Sequence, residues 1–498
     1  MHRRTLKAAV VAAFAVFGAV MAAEAAPRDT LVIGIQQEPT SMDPTSDATA
    51  SIDTVLTRNV FETLTTADET GTVQPLLAKS WEVSPDGKVY TFKLNDGVTF
   101  TDGKPLDAST VKFAFERAMA PDSTNPSKTI FALITGIETP DATTVVIRLK
   151  EPDAYFLANL AMGDAAIVHP DTAANNKTTP VGSGPYKVKE WVRGDRVVLE
   201  RNDANRLAAK AKLREVSFRV IPDPNTAAAA LFSGDINAFP VIPAPETLEQ
   251  FKQDKRFVVV SGTTEGEVIL AMNNAKPPFN DIRVRRAINH LLDRQEIIDG
   301  AMSGYGTPIG SHFPPHNPAY VDLTGRYPHD VAKAKELLAE AGFPNGFETT
   351  LQLPPPPYAR RSGEIIREQL AEGGIRVQLA NVEFPFWLSE VYKKKLYDMT
   401  IIAHVSPRDL SNYIKGTEYF YGYDSPEFRA MYDDFRKTVD PQQQIEKLKG
   451  LQTKLADDAV HGFLFQLAQA GVYDAKLRGY WKNAPELITP LTDMYWAD

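Results

Sequence analysis

The order of strand, helix and strand between residues 351 and 380 restricts the possible folds more than any other pattern in the sequence. Leu351–Leu353 has the composition of a strand, Ser362–Glu372 has helical periodicity and is closed by two glycines, and Ile375–Ala380 is again strand-like. A unit of this order places its two strands parallel in one sheet and covers them with the helix. We therefore predict an α/β fold with a largely parallel sheet in this part of the chain.

The chain is long enough for several domains. It has 498 residues, of which 43% are hydrophobic and 23% are charged, and this composition is typical of a globular protein. Because a domain usually contains about 100–200 residues, we expect roughly two to four domains. An apolar strand at Val268–Met272, followed by two prolines and a predicted helix from Asp281 to Met302, marks the crossing into a second α/β domain that extends to about residue 475.

The first 26 residues have the composition of an export signal. Three basic residues precede an alanine-rich apolar stretch from Ala8 to Ala23, and the small residues that follow predict cleavage after Ala25. The Sec route is favoured, although two adjacent arginines also fit a twin-arginine signal. No cysteine follows the stretch to carry a lipid, and no later apolar run reaches the roughly 18 residues of a membrane span. We expect the protein in a bacterial periplasm.

Charge and motifs exclude several classes of function. The 54 basic and 63 acidic residues give a net charge of −9, which has the wrong sign for binding nucleic acid. The sequence has no His-Glu-x-x-His motif, no phosphate-binding glycine loop and no cysteine nucleophile. His312 and His316 have the spacing of a helical metal pair, but the prolines between them predict a loop without a metal. We predict no catalytic residue, no metal and no cofactor, with an exported hydrolase as a distant alternative.

The first half of the chain adds a β-rich segment. Trp81–Val83, Val89–Leu94 and Val98–Phe100 are predicted strands separated by Asp-Gly turns. Val197–Arg201 and Glu215–Ile221 are strand candidates that return the chain to a sheet. In an exported acidic protein with two α/β domains, a cleft between the domains is the expected place for a ligand.

Several segments together resemble the signature of a known family. They are Leu76–Gly87, Tyr90–Phe100, Asp102–Ala108, Pro180–Tyr186, Phe279–Asn289 and Ala334–Gly342. In this order they closely resemble family 5 of the extracytoplasmic solute-binding proteins, which are the dipeptide, oligopeptide, nickel and opine receptors of ABC importers. The resemblance implies a solute-binding component of an ABC importer that captures peptides or similar small polar solutes and catalyses no reaction.

The resemblance also implies the clamp fold of the type II periplasmic binding proteins, in which two α/β lobes carry an inserted β-rich subdomain. After a signal peptide of residues 1–25, lobe I is expected to comprise 26–60, 181–270 and 477–498, the inserted subdomain 61–180, and lobe II 271–476. Hinges are expected near Val268–Met272 and Ala475–Tyr480. A solute between the lobes favours the closed form through its higher affinity for that form, and the closed form docks on a permease in the inner membrane. A monomer is expected.

Four places that face the cleft in members of the family provide the candidate ligand-binding residues. These residues are Glu38, Thr40 and Ser41; Met272 and Asn273; Phe384 and Trp387; and His404, Ser406, Arg408 and Asp409. The aromatic rings offer flat apolar walls, and Arg408 offers a forked donor for a carboxylate or a phosphate. For each residue a core or surface role is the alternative.

The sequence departs from the dipeptide-receptor pattern at both anchors of the ligand. Dipeptide receptors carry a tryptophan and then an aspartate that receives the amino group. This chain has His404 at the tryptophan position with no acid immediately after it, and Asp409 resembles a later acid of the same loop. The arginine that binds the carboxylate falls near Leu353, and the family's cysteine pair is absent. These departures argue against a strict dipeptide receptor. Longer or modified peptides remain open, and an opine, a sugar or a metal chelate is the alternative ligand.

Overall fold

The computed structural model describes residues 28–497 except 48, 243, 244 and 407. The predicted signal peptide and its cleavage site lie outside these residues. Within the described part of the chain, no helix is both long enough and apolar enough to cross a membrane.

The strands of the described residues fall into one large sheet and three smaller ones. They are β1 (Thr30–Ile35), β2 (Thr65–Ala67), β3 (Val73–Pro75), β4 (Ala78–Val83), β5 (Val89–Leu94), β6 (Ile134–Asp141), β7 (Thr144–Leu149), β8 (Tyr186–Val192), β9 (Arg196–Arg201), β10 (Glu215–Val220), β11 (Ala238–Phe239), β12 (Phe257–Met272), β13 (Gly306–Pro308), β14 (Glu348–Leu353), β15 (Arg376–Asn381), β16 (Met399–His404), β17 (His461–Asp474), β18 (Leu477–Arg478) and β19 (Tyr495–Trp496).

Helices cover the large sheet and fill the connections between strands. The α-helices are α1 (Ala50–Leu56), α2 (Ala108–Met119), α3 (Lys128–Phe131), α4 (Phe156–Asn159), α5 (Pro224–Ser233), α6 (Glu249–Lys252), α7 (Ile282–Leu291), α8 (Arg294–Met302), α9 (Val331–Glu340), α10 (Pro357–Glu372), α11 (Phe384–Phe386), α12 (Pro426–Arg436) and α13 (Pro441–Asp457). A π-helical segment, Trp387–Lys393, and short 3₁₀ segments complete the set.

Two long antiparallel strands join the halves of the molecule. β12 has 16 residues and β17 has 14, and they lie side by side at the centre of the large sheet. At one end Val260 and Tyr473 pack with the hydrophobic core around β1, and at the other end Leu270 and Leu464 pack in a second core under α7 and α10. The pairing register shifts between Thr263 and Glu267. The break therefore lies between the parts of the two strands that pack in each core.

The predicted hinges near Val268–Met272 and Ala475–Tyr480 lie in and directly after the two long strands, respectively, and stay predictions. Val268–Met272 pairs continuously with β16 inside the second half, so the break precedes it by a few residues. The chain returns from the second half to the first along β17. This strand ends at Asp474, immediately before the predicted hinge at Ala475–Tyr480. The division into lobes at residues 60, 180, 270 and 476 stays a prediction.

The α/β class is confirmed, and the strands of the predicted βαβ unit are parallel as expected, but the parallel order does not extend through the large sheet. β1 is parallel to β10 and β11, and β14 is parallel to β15 and β16. The other six pairings of the large sheet within the described residues are antiparallel. The antiparallel centre has a physical cause, because β12 carries the chain from one half to the other and β17 brings it back.

The single helix predicted from Asp281 to Met302 is two helices, α7 and α8. The carboxylate of Asp293 accepts hydrogen bonds from the backbone N–H groups of Gln295 and Glu296 at 3.0 and 3.1 Å. It therefore caps a new helix at a point where the periodicity alone predicts continuity.

The segment between residues 61 and 180 contains a separate four-stranded antiparallel sheet, in the order β4-β5-β7-β6. The Pro180–Tyr186 motif ties its end to the first half of the molecule. A Cβ atom on Gly182 would lie 1.9 Å from the carbonyl oxygen of Val60, and one on Gly184 would lie 2.4 Å from that of Asn59. The two glycines are thus required for close approach of two backbones.

We expect Gly182→Ala to lower the free energy of unfolding by about 1–3 kcal/mol, because the added methyl group must push two backbone segments apart. Urea unfolding measures the change. Gly136→Ala is the matched control, since its Cβ meets nothing within 4 Å. Equal stability of the two variants would contradict the packing role of the motif.

Candidate functional site

A cavity of about 310 Å³ lies between the 61–180 segment and the half of the molecule that follows β12. Ligand sites usually have volumes of about 300–1,000 Å³, so the cavity is large enough for a small molecule. Five aromatic residues from both sides contribute to its walls: Trp81, Tyr90, Tyr155, Phe313 and Phe435. Three charged residues also line it, namely Glu265, Arg408 and Glu486.

The aromatic walls meet where Tyr155 faces Phe435. Their ring centroids are 5.1 Å apart and the ring planes are inclined by 63°, an edge-to-face geometry that favours aromatic pairs. The hydroxyl oxygen of Tyr155 is buried and has no hydrogen-bond partner among the described residues. Burial raises the pKa of Tyr155 well above its usual value, so the hydroxyl stays neutral and is able to donate to a ligand.

Direct contacts bridge the two sides of the cavity. Arg408 Nη2 donates a hydrogen bond to the carbonyl oxygen of Ala158 at 3.0 Å. Arg436 and Glu151 form an ion pair at 3.3 Å. Both arginines belong to the later half and both partners belong to the 61–180 segment. Since the ion pair is partly exposed, it contributes little to stability.

The two acids of the cavity, Glu265 and Glu486, differ in their hydrogen-bond partners. Glu265 Oε1 accepts a hydrogen bond from His316 Nε2 at 3.0 Å, and His316 Nδ1 faces the hydroxyl of Thr263 at 2.6 Å. Glu486 has no such partner, and its Oε1 atom is buried and unpaired within the described structure. Burial raises the pKa of Glu486 to about 7, against the opposing effect of the Arg408 and Arg58 charges.

A buried histidine lies beneath the cavity between two carboxylates. His312 is 2% exposed, with Nδ1 2.6 Å from Glu267 Oε1 and Nε2 2.8 Å from Asp409 Oδ1. Burial by itself lowers the pKa of His312, but the two carboxylates outweigh it and raise the pKa to about 10. Burial raises the pKa of Glu267, whereas the two histidines that contact Asp409 overcome its burial and hold its pKa far below the usual range.

The contacts of Asp409 continue through His404 to the buried Tyr421. Asp409 Oδ2 is 2.9 Å from His404 Nδ1, and His404 Nε2 is 2.6 Å from the hydroxyl of Tyr421. Because Asp409 directly follows Arg408, this chain of contacts fixes the position of the arginine in the cavity. Sequence reasoning predicted His404 and Asp409 as ligand contacts; neither lines the described cavity, and they contact each other beside Arg408.

Glu267, His312 and Asp409 have donor atoms within 4.8 Å of one another and are residue types that bind metals. However, each ring nitrogen of His312 already faces a carboxylate. The arrangement is that of an imidazolium held by two anions. His312 and His316 lie in irregular backbone, so the predicted loop is confirmed.

The candidates of the first loop make local contacts outside this cavity. Glu38 accepts hydrogen bonds from Trp191 Nε1 and from the backbone N–H of Gly194, both at 3.0 Å. Thr40 Oγ1 donates to Asp47 at 2.7 Å. Ser41 Oγ accepts from the backbone N–H of Asp43 at 3.1 Å. The bonds of Glu38 join the loop after β1 to the hairpin of β8 and β9, whereas those of Thr40 and Ser41 stay within the loop.

The candidates of the second half are divided between the core and the surface. Met272 is fully buried in the core, and Asn273 donates hydrogen bonds to the carbonyl oxygens of Lys395 and Tyr397 at 3.2 and 3.3 Å. Trp387 is buried with its Nε1 donating to Thr400, while Phe384 is 43% exposed and stacks on Trp387. Ser406 is exposed. Of the eleven candidates, Arg408 alone lines the described cavity.

Sequence reasoning missed Glu265, Glu486 and the role of His312. One signal was present: Glu267 directly precedes the apolar run Val268–Met272 of the same strand, and a buried acid is costly unless a partner neutralises it. That cost predicts a buried cation, which His312 provides. Glu486 lies in the irregular segment between β18 and β19, and no local pattern marks it.

Comparisons with known proteins agree with this architecture. The family model described as "Bacterial extracellular solute-binding proteins, family 5 Middle" matches residues 72–422. A glutathione-binding protein GsiB of Pectobacterium atrosepticum is 34% identical over 391 residues, which are 77% of this chain and 74% of that protein.

Solved structures are also similar to this chain. HbpA2 from Haemophilus parasuis has a TM-score of 0.85 at 24% identity, covering 94% of this chain and 100% of its own. The ABC transporter-associated periplasmic binding protein DppA from Helicobacter pylori, solved with the peptide STSA, has a TM-score of 0.73 at 27% identity and covers 95% of this chain and 99% of its own. These matches confirm the predicted clamp fold.

We expect the free energy of unfolding to fall as the pH rises from about 6.5 to about 10. Folding raises the pKa of His312 from 6.5 to about 10, so its contribution is complete below 6.5 and is lost as the imidazolium deprotonates. His312→Gln leaves two buried carboxylates without a cation and should cost about 3 kcal/mol or more near neutral pH. The free energy of unfolding of this variant should also change much less between pH 6.5 and 10. Urea unfolding at several pH values in this range measures both effects.

His329→Gln, at an exposed histidine, is the control for this experiment. It should unfold like the parent at each pH. An unchanged alkaline slope in His312→Gln would show that the imidazolium does not carry the effect.

Proposed function

Because the chain belongs to family 5 of the bacterial extracellular solute-binding proteins, we propose that it is the solute receptor of an ABC importer that captures short peptides or similar small polar solutes. It acts in the periplasm as a monomer, delivers its ligand to a permease in the inner membrane and catalyses no reaction. It has no nucleic-acid partner, consistent with its net charge of −9.

The position of the cavity is the observation that carries this proposal. The cavity touches the 61–180 segment, the half that follows β12, and Glu265, which lies in the register break between Thr263 and Glu267. A ligand in this place contacts both sides of the clamp and the strand that joins them. Its binding energy therefore depends on the angle between the halves, and this dependence is what a ligand needs in order to shift the open and closed populations.

The chemistry of the cavity supports a peptide-like ligand. Aromatic walls suit apolar side chains, Arg408 suits a carboxylate, and the buried hydroxyl of Tyr155 offers a donor for a carbonyl group. The name of the GsiB relative refers to glutathione, a modified tripeptide, and DppA was solved with a tetrapeptide. These relatives support short or modified peptides as the first ligands to test.

Thermal unfolding with added ligands tests the proposal. We expect glutathione or a di- to tetrapeptide to raise the melting temperature, because a ligand at about 100 times its dissociation constant adds about 2.7 kcal/mol of stability. Ala154→Trp fills the cavity and should abolish this shift, whereas Ala209→Trp, at an exposed position, should retain it.

The same panel includes opines, oligosaccharides and nickel chelates. A shift with these compounds alone would mean that the receptor takes a different solute class. Recovery of a cleaved ligand by mass spectrometry would support the hydrolase alternative. The absence of any shift across the panel would contradict the receptor function.

A further inference from the structure

Glu486 is an acid of the cavity wall for which the described structure provides no ion pair within 4.0 Å. It lies in the segment between β18 and β19, which the predicted lobe I contributes, and it lines the cavity. Its Oε1 atom is shielded from solvent and has no hydrogen-bond partner among the described residues. A buried carboxylate oxygen in this state is costly, and native proteins usually satisfy such atoms with a donor.

The charged groups around Glu486 do not satisfy it. Arg408 and Arg58 attract it and Asp53 and Glu265 repel it, but no ion pair within 4.0 Å joins Glu486 to either arginine in the described structure. Glu265 has its own partner in His316. Arg408 uses one of its five N–H donors on Ala158. The cavity thus presents, besides the unpartnered hydroxyl of Tyr155, one carboxylate oxygen without a hydrogen bond and one arginine with unused donors.

We propose that Glu486 receives the ammonium group of the ligand while Arg408 receives a carboxylate, so that the site selects short zwitterionic peptides or peptide derivatives. This assignment rests on the proposed receptor function and names its ligand class. It also provides the acidic anchor that the sequence lacks after His404. The two anchors come from opposite sides of the break in β12, so a ligand held by both links the halves directly.

Other ligand classes leave one of the anchors unmatched. A neutral sugar brings no charge to compensate Glu486, and a dianion such as a phosphate meets Arg408 but is repelled by both acids of the cavity. A molecule with one ammonium and one carboxylate satisfies Glu486 and Arg408 together, and charge-assisted hydrogen bonds of this kind are the strong ones.

Paired ligands that differ at the amino group test the assignment by isothermal titration calorimetry. Glutathione is compared with glutaryl-cysteinyl-glycine, and trialanine with propionyl-alanyl-alanine, in which hydrogen replaces the amine. In the parent protein, loss of the amine should weaken binding at least tenfold for whichever pair binds. In Glu486→Gln the two members of that pair should bind with nearly equal affinity. Glu372→Gln, at an exposed helix end, should behave like the parent.

Each outcome separates this assignment from the receptor function. If a peptide binds tightly but the parent does not distinguish it from its des-amino partner, the receptor function stands and the role of Glu486 is overturned. The same conclusion follows if Glu486→Gln keeps the full preference for the amine. If no member of either pair binds, peptide capture fails, and the assignment to Glu486 fails with it.

A pH series gives a second readout. An ammonium ligand stabilises the ionised form of Glu486. In the empty site the pKa of Glu486 is about 7, because burial raises it more than the charges of Arg408 and Arg58 lower it, and Asp53 and Glu265 add to the increase. Affinity of the parent should therefore decrease as the pH falls below about 7. Glu486→Gln should show a smaller decrease, and an equal decrease in both proteins would count against the assignment.

Discussion

The antiparallel pairing of β12 and β17 is the constraint on which the rest of the structure depends. These two strands cross between halves that otherwise have separate hydrophobic cores, and each strand buries apolar residues in both. Their pairing register shifts between Thr263 and Glu267 and again between Val268 and Ile269. The cavity lies against the first of these breaks, because Glu265, one of the residues within it, lines the cavity. A hinge at this place is part of the proposed receptor function.

Burial of charge at this crossing is stabilised by a chain of side chains. Glu267 and Asp409 come from different strands and loops of the second half, and the imidazolium of His312 lies between them. Removing His312 would leave both buried carboxylates without the imidazolium that they share, and such a loss is strongly destabilising. The result of this chain of side chains is a fixed loop after β16, and that loop carries Arg408 into the cavity. The electrostatics of the core therefore determine the geometry of the binding site.

The sequence predicted those parts of the fold that depend on local patterns. The βαβ unit at 348–381, the strands near residues 197 and 215, and the Asp-Gly turns all follow from periodicity and turn chemistry, and they are present. The antiparallel centre was missed because strand direction depends on the path of the chain between the halves. Helices α7 and α8 were merged because periodicity does not register the cap made by Asp293.

The site was harder to predict, for a physical reason. Of its charged residues, Arg408 was found through the family resemblance, while Glu265 and Glu486 come from segments more than 200 residues apart in sequence and meet only in the folded chain. Residues such as Met272 and Trp387 have side chains suited to a ligand but equally suited to a core, and tertiary packing places both in the core.

The most direct test of this account is a crystal structure of the protein with the peptide that stabilises it most. The account predicts that the peptide lies in the cavity beside the β12 and β17 break, with its carboxylate on Arg408 and with atoms from both halves in contact with it. A peptide bound to one half alone, away from this cavity, would contradict the claim that ligand binding is coupled to the angle between the halves.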